Sequence, residues 1–165
     1  MTTTTDVTTQ VYRVYIRATP QAIWDAITTP EWTERYGYGG KVAFDLQPGG
    51  EFRHIASDGM RAAGLPEVMV VGEVLESDPP HRLVQTWHPV WDEQIGAERA
   101  SRLTYELAQE PARDGVTRLT LVHELEGAPL TAAMVSGQVE EAGGGWAFVL
   151  SDLKSLLETG SGVVA

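Results

Sequence analysis

Histidine is the residue type in this sequence that is best suited to acid–base chemistry. The chain contains His54, His81, His88 and His123. His54 shares strand parity with Phe52, while His123 shares it with Leu121, so both imidazoles face an interior if these apolar residues do. A neutral imidazole with a pKa of about 6.5 would orient a ligand or transfer a proton there. The alternative is a half-buried sheet histidine that hydrogen-bonds to a neighbouring group.

Known catalytic and metal-binding motifs are absent from the sequence. There is no G-x-S-x-G nucleophile elbow and no P-loop. Gly37, Gly39 and Gly40 precede a strand pattern, and Val42 stands where the third glycine of a dinucleotide loop belongs. His123-Glu124 is not followed by a second histidine, and there is no cysteine to supply a thiolate. We therefore expect neither a metal nor a cofactor.

Composition restricts the classes of partner. The chain has 165 residues, of which 42% are hydrophobic, enough for one domain with a core. Its 12 basic and 23 acidic residues give a net charge of −11, which disfavours nucleic acids and anionic membranes. The sequence has no cysteine, no signal-peptide pattern and no apolar window long enough for a bilayer. These features predict a cytoplasmic protein without a membrane partner.

The first half of the chain reads as one strand, two short helices and then a series of strands. Gln10 to Arg17 alternates in the manner of a strand. Thr19-Pro20 and Thr29-Pro30 each combine a helix N-cap with proline at the first helical position. About six further strands follow, separated by turns such as Pro48-Gly49-Gly50. Either Glu73 or Glu76 is expected to face the interior or to pair with an arginine.

A long amphipathic helix is predicted from Gln138 to Thr159. Its apolar residues alternate in steps of three and four, which places them on one helical face. These residues are Val139, Ala142, Trp146, Val149, Leu153 and Leu156. Gly143-Gly144-Gly145 interrupts the pattern, so either the helix begins after the glycines or another element must approach closely there.

The order of elements predicts an α+β fold. Strands joined by short turns favour an antiparallel meander of about seven strands, and only the C-terminal helix is long enough to cover its concave face. We expect a single domain over residues 10–159, with flexible tails at residues 1–9 and 160–165.

Several stretches together resemble a known superfamily. They are Thr19 to Ile27, Leu46 to Arg53, Gly72 to Glu76, Arg82 to Trp87, Leu119 to Glu124, and Gly145-Trp146. The chain resembles the START-like, or SRPBCC, superfamily and, within it, bacterial homologues of the activator of the ninety-kilodalton heat-shock-protein ATPase. The resemblance implies the helix-grip fold and a cavity between the sheet and the long helix. It supplies no catalytic motif.

Seven residues are expected to surround this cavity, from strand alternation and from the apolar stripe of the helix. They are Phe52, His54, Trp87, Tyr105, Leu121, His123 and Trp146. Trp146 is favoured as a ligand-facing wall because the three glycines before it leave space beside the indole. A bulge at Gly72 or near Pro48 would reverse the parity beyond it.

Three functions are compatible with this fold, and we expect binding rather than catalysis. The first is binding of a small apolar or amphipathic molecule in the cavity. The second is a cyclase or lyase that uses His54 or His123 as acid or base. The third is a protein-interaction module that modulates a chaperone ATPase. The chain would be a monomer or a homodimer.

Overall fold

The computed structural model describes residues 8–163. The strands are β1 (Thr9–Ile16), β2 (Lys41–Phe44), β3 (Glu51–Ile55), β4 (Val68–Asp78), β5 (Arg82–Pro89), β6 (Ser101–Gln109) and β7 (Thr117–Glu124). The α-helices are α1 (Pro20–Thr28), α2 (Pro30–Thr33), α3 (Asp58–Ala62), α4 (Glu93–Gly96), α5 (Pro129–Val135) and α6 (Gly145–Thr159). A short 3₁₀ turn at Glu140–Ala142 precedes α6.

The seven strands form one curved antiparallel sheet in the order β1-β7-β6-β5-β4-β3-β2. Sequential strands pair, except that β1 closes against β7, so β1 and β2 are the two edges. The predicted fold class is confirmed: a helix-grip arrangement with two short helices after the first strand and a long C-terminal helix against the sheet.

Helix α1 begins as its sequence predicts. The Oγ1 of Thr19 accepts a hydrogen bond of 3.1 Å from the backbone N–H of Ala22, and Pro20 stands in the first turn. Ile23, Trp24 and Ile27 are buried by this helix against the sheet.

The main core lies where α1 and the C-terminal half of α6 cover the sheet. From α6, Leu150, Leu153 and Leu156 are buried. They face the first strand and the first helix, where Ile16 and Ile23 are fully buried. Burial of one such side chain contributes about 1.5–3 kcal/mol. Side chains therefore fill the space between helix and sheet at this end of the molecule, which we call the solid end.

Helix α6 is shorter than the sequence predicts, because it begins at Gly145 rather than near Val139. Gly143, Gly144 and Gly145 all have positive φ, at 90°, 102° and 66°, outside the right-handed helical region, so the regular helical conformation cannot extend back through the glycines and Gly145 is only its first residue. At Gly145 an added Cβ would lie 2.1 Å from the carbonyl oxygen of Val135 in α5. Gly145 thus allows α5 to approach the start of α6, and Gly143 allows Tyr38 to approach it, while neither contact involves the sheet.

Asp152 is a charged residue of α6 outside the predicted apolar stripe, yet it is buried. Its carboxylate accepts hydrogen bonds from the backbone N–H groups of Gly37, at 2.8 Å, and Val163, at 2.7 Å. Asp152 therefore fastens the loop after α2 and the segment after α6 to the same helix.

Parts of the two segments expected to be tails are included in the described structure. Strand β1 already includes Thr9, and Val163 is hydrogen-bonded to α6. The rest of the two expected tails, residues 1–7 and 164–165, lies outside the described residues. Between residues 8 and 163, no helix has the length and apolar character needed to cross a membrane.

Candidate functional site

A cavity of about 330 Å³ lies between the concave face of the sheet, the start of α6 and the loops beside them. Its volume is in the range of pockets that hold small organic ligands. The main core fills the other end of the sheet, so the molecule has a solid end and a hollow end.

Strand alternation supplies the sheet side of this cavity. Phe52 and His54 point inward from β3, Trp87 from β5 and Tyr105 from β6. Trp146, in the first turn of α6, faces them. The structure thus brings five of the seven sequence-predicted residues together around one space.

Leu121 and His123 do not line the cavity, although both are on the inner face of β7. Leu121 is the cross-strand partner of Tyr105 and is buried in the main core. His123 is fully buried beneath Trp146, with their ring centroids 5.9 Å apart. Parity was predicted correctly for both residues, but closer packing at β7 leaves them behind the cavity wall.

His123 is held by hydrogen bonds on both ring nitrogens. The Nε1–H of Trp146 donates to its Nδ1 at 3.0 Å, and its Nε2 lies 2.7 Å from the Oγ of Ser101. That hydroxyl donates to the carbonyl oxygen of Trp87 at 2.8 Å. Indole can only donate, so Nδ1 is the acceptor and the His123 proton is on Nε2. We call this series the Trp146–His123–Ser101 chain.

The Trp146–His123–Ser101 chain keeps His123 neutral. Burial lowers the pKa of His123 from 6.5 to about 3. A proton added to Nδ1 would also face the indole N–H of Trp146 and remove that hydrogen bond. The geometry therefore favours the structural alternative for this residue: His123 positions Trp146 against the sheet and does not contact the cavity.

His54 has the opposite situation, because it lines the cavity and has no side-chain hydrogen bond to another residue between 8 and 163. Its ring lies against Gly40, where an added Cβ would be 2.1 Å from Nε2. Burial lowers its pKa below 6.5, which favours the neutral imidazole at pH 7. His54 is thus a neutral group with free hydrogen-bonding capacity toward the cavity.

Three further polar side chains lie at the closed end of the cavity. Tyr105 makes no side-chain hydrogen bond within the described chain, and Gln85 uses only its Nε2, toward the Thr86 carbonyl oxygen at 3.3 Å. Tyr36 donates to the carbonyl oxygen of Ala26 at 2.8 Å. Burial raises the pKa of Tyr36 and of Tyr105, and Tyr105 adds to the shift of Tyr36. Both phenols are therefore protonated at neutral pH.

No Asp, Glu, Lys or Arg is among the 24 described residues that line the cavity. Glu73 and Glu76, of which one was expected to face the interior or to pair with an arginine, are both exposed. Glu76 forms an ion pair with Arg82 at 2.8 Å. Residues 8–163 also contain no group of three metal-ligating side chains. The described cavity accordingly offers neutral hydrogen-bonding groups in apolar surroundings.

The rim of the cavity is rich in methionine and comes from the connecting helices α3 and α5 and from the start of β4. Met60 lies in α3 and Met134 in α5. A register shift between His54 and Ile55 leaves Met69 without a paired residue, and both Met69 and Val70 line the cavity. Flexible thioether side chains adapt to ligands of different shape.

Sequence reasoning missed the rim and part of the closed end. Gln85 could have been identified, because it alternates with Leu83 and Trp87 on the inner face of β5. The rim residues Met60, Leu65 and Met134 lie in connections where no periodic signal shows which side faces inward.

Comparison with known proteins identifies the family. The profile described as Activator of Hsp90 ATPase homolog 1-like protein matches residues 17–158. No curated protein matches the chain.

Several solved structures share the fold. A protein from Mesorhizobium loti superposes with a TM-score of 0.66 at 22% identity, covering 91% of this chain and 96% of that chain. The Aha1 dimer from Colwellia psychrerythraea has a TM-score of 0.65 at 17% identity, covering 93% and 98%. An HSP90 activator from Plasmodium falciparum has a TM-score of 0.61 at 21% identity, covering 91% and 96%.

These identities establish a common architecture, while the profile match covers most of the 165 residues. The chain belongs to the Activator of Hsp90 ATPase homolog 1-like family.

Proposed function

We propose that this protein binds a small apolar or amphipathic molecule in the cavity between the sheet and α6. The observation that carries the proposal is the cavity of about 330 Å³, with aromatic and methionine walls and polar groups that lack protein partners. Ligand pockets combine largely apolar walls with a few oriented polar groups. Five residues predicted from the sequence are the proposed ligand contacts: Phe52, His54, Trp87, Tyr105 and Trp146.

Apolar burial would supply most of the affinity. At about 25 cal/mol per Å², a ligand that removes about 250 Å² of apolar surface from water gains about 6 kcal/mol before the cost of association. Three aromatic side chains of the wall, Phe52, Trp87 and Trp146, offer large rigid surfaces for this contact.

The arrangement supports binding over the cyclase or lyase alternative. Acid–base catalysis needs a titrating group within reach of the reacting atoms, often beside a second group that orients it. His123 uses both ring nitrogens in the Trp146–His123–Ser101 chain. His54 has access to the cavity, which Tyr36, Tyr38 and Tyr105 also line, but no described carboxylate lines it and within the described chain none of these tyrosines is hydrogen-bonded to His54.

Binding to a chaperone is the second candidate function, and the names of two solved neighbours favour it. One is named an HSP90 activator and the other the Aha1 dimer. Our proposal that this chain binds a chaperone rests only on these two names and on its family. Measurement of the ATPase rate of a ninety-kilodalton heat-shock protein with and without this protein tests it. An unchanged rate together with no complex in size-exclusion chromatography contradicts it.

The cavity proposal is tested by filling the cavity. Val149 lines it from α6, whereas Ala147, two residues earlier, is exposed on the same helix. We expect Val149→Trp to abolish binding of the neutral fluorophore N-phenyl-1-naphthylamine, while Ala147→Trp leaves it within about twofold. Fluorescence titration measures binding, and thermal unfolding checks that both variants fold. Equal binding by the wild type and a folded Val149→Trp variant would place the fluorophore elsewhere.

A further inference from the structure

We infer that the cavity selects an uncharged, elongated aromatic molecule whose polar end hydrogen-bonds to Gln85 and Tyr105. This inference rests on the proposed binding function and adds the chemical class of the ligand. It combines the charge of the cavity wall, the positions of its unpartnered polar groups and the shape of the space between them.

The first step is electrostatic. No charged side chain is among the described lining residues, so a carboxylate or ammonium ligand would leave water without a counter-charge. At the nearby start of α6, the N–H of Gly145 donates to the hydroxyl of Tyr38 at 3.1 Å, so this one donor is not available to an anionic ligand. His54, Tyr36 and Tyr105 are neutral at pH 7, since burial shifts the pKa of each toward its uncharged form.

The second step concerns the closed end. Leu83 pairs with Tyr105 and Gln85 pairs with Leu103, so Gln85 and Tyr105 are diagonal neighbours on adjacent strands. Diagonal Cα atoms of this kind are about 7–8 Å apart, a distance that one polar group of a ligand can bridge. The Oε1 of Gln85 has no donor and the Oη of Tyr105 has no partner within the described chain. Together they offer an acceptor and a donor, which suits an amide or a hydroxyl.

The third step is the separation of this polar pair from His54. His54 pairs with Val70, which pairs with Pro89, and Pro89 is four residues along β5 from Gln85. At about 3.3 Å per residue, the two polar regions are about 13 Å apart along the strand direction. Phe52, Trp87 and Trp146 line the space between them. A molecule with a flat apolar body fits this space better than a compact polar one.

A matched ligand series tests the selection by charge. Biphenyl-4-carboxamide and biphenyl-4-carboxylate have nearly the same shape and differ in charge, and 4-(aminomethyl)biphenyl adds a cation. Each would displace N-phenyl-1-naphthylamine at pH 7, at low ionic strength and in about 1 M NaCl, where long-range charge is screened. We expect the carboxamide to bind at least tenfold more tightly than either ion under both conditions.

The outcomes separate this inference from the binding function. If the fluorophore does not bind, the binding function fails. If it binds and the carboxylate or the ammonium ion displaces it as well as the carboxamide does, the binding function stands and the selection for uncharged ligands is overturned. A preference over the carboxylate that disappears in high salt would also overturn it, because repulsion of the anion by the net charge of −11 would then be its cause.

Single-atom variants test the polar end. Tyr105→Phe removes one hydroxyl, and we expect it to weaken the carboxamide about fivefold to tenfold while leaving 4-methylbiphenyl unchanged. Tyr15→Phe is the matched control, because Tyr15 is exposed on β1 and does not line the cavity. Equal weakening of both ligands by Tyr105→Phe, or none for the carboxamide, would overturn the assignment of Tyr105 to the polar end.

Discussion

At the scale of single residues, His123 shows how burial decides the role of a titratable group. Its ring is fully buried, both of its nitrogens are hydrogen-bonded, and its pKa is lowered to about 3. A group in this state contributes stability at neutral pH, because its neutral form satisfies an indole donor and a serine hydroxyl. Burial of neutral His123 therefore makes the free energy of unfolding depend on pH.

We predict that the free energy of unfolding decreases as pH falls below 6.5, and that His123→Gln reduces this decrease. Since folding lowers the pKa of His123, the unfolded chain binds more protons between pH 6.5 and about 3. The stability is fully present above pH 6.5 and is lost toward the folded pKa. At 1.36 kcal/mol per pH unit, the difference between wild type and variant reaches about 2 kcal/mol near pH 5.

Urea denaturation at several pH values measures this difference. Glutamine can still accept from Trp146 and donate to Ser101, so the variant is expected to fold. The comparison uses slopes against pH, which cancels any constant loss of stability and the parallel contribution of His54. Identical slopes for wild type and His123→Gln between pH 6.5 and 5 would contradict a buried neutral His123.

The alternation of apolar residues predicted which side chains point inward but not which of them meet empty space. Phe52, His54 and Tyr105 are on the predicted side of the sheet. The register shifts, at His54/Ile55 and Val74/Glu76, do not reverse the direction of these side chains. Leu121 and His123 point inward as well, yet Leu121 is packed within the main core and Trp146 of α6 covers His123. Distance from a covering helix is a tertiary property that a periodic pattern does not contain.

At the scale of elements, the start of α6 is set by contacts with α5 and with the loop after α2. The sequence allowed either a helix start after the three glycines or a close approach at them; α6 starts at the third glycine, Gly145, and that residue is also a point of close approach. The N–H of Gly145 donates to Tyr38, and its Cα lies against the last turn of α5. These contacts position Trp146 at the cavity.

We predict that Gly145→Ala destabilises the protein more than Gly160→Ala. Both glycines flank or begin the same helix with positive φ, 66° and 86°, so alanine is strained at each by about 1–2 kcal/mol. At Gly160 an added Cβ meets nothing within 4 Å, whereas at Gly145 it would lie 2.1 Å from a backbone oxygen. The clash should add about 1–3 kcal/mol, measured as a shift of the denaturation midpoint. Equal losses for the two variants would contradict the close approach of α5.

The short helices α3, α4 and α5 were not predicted from the sequence. They have five, four and seven residues, fewer than a hydrophobic period needs to become visible. Their stability comes from local caps: Ser57 caps α3, and the carboxylate of Glu98 accepts from the N–H groups of Leu130 and Thr131 at the start of α5. Long periodic elements were therefore predictable, and the rim of the cavity was not.

At the scale of the whole molecule, a solid end and a hollow end differ in how their elements are held. The solid end contains the large core of α1, α6 and the central strands. At the hollow end, a smaller cluster of Val42, Phe52 and Val70 lies beside the cavity. Helix α3 buries no residue and α4 buries only Ile95. Local unfolding should accordingly be easiest at the rim.

We predict that hydrogen exchange at the rim slows when the cavity is occupied. Amides of α3 and α5 should exchange at least tenfold faster than those of β6 and β7 in the free protein, because few buried contacts oppose their opening. N-phenyl-1-naphthylamine at saturation should protect α3 and α5, since Met60 and Met134 line the cavity from these helices. Hydrogen–deuterium exchange with mass spectrometry measures this for each peptide.

The turn from Pro111 to Gly115 serves as the internal control for that experiment. It connects β6 to β7, is exposed throughout and contributes no residue to the cavity. A ligand that acts through the cavity should leave its exchange unchanged, because no contact there depends on occupancy. Protection spread evenly over the chain would indicate global stabilisation without selective closure of the rim. Protection confined to β1, where Val11 and Tyr15 are exposed, would place the bound fluorophore on the outer face of the sheet.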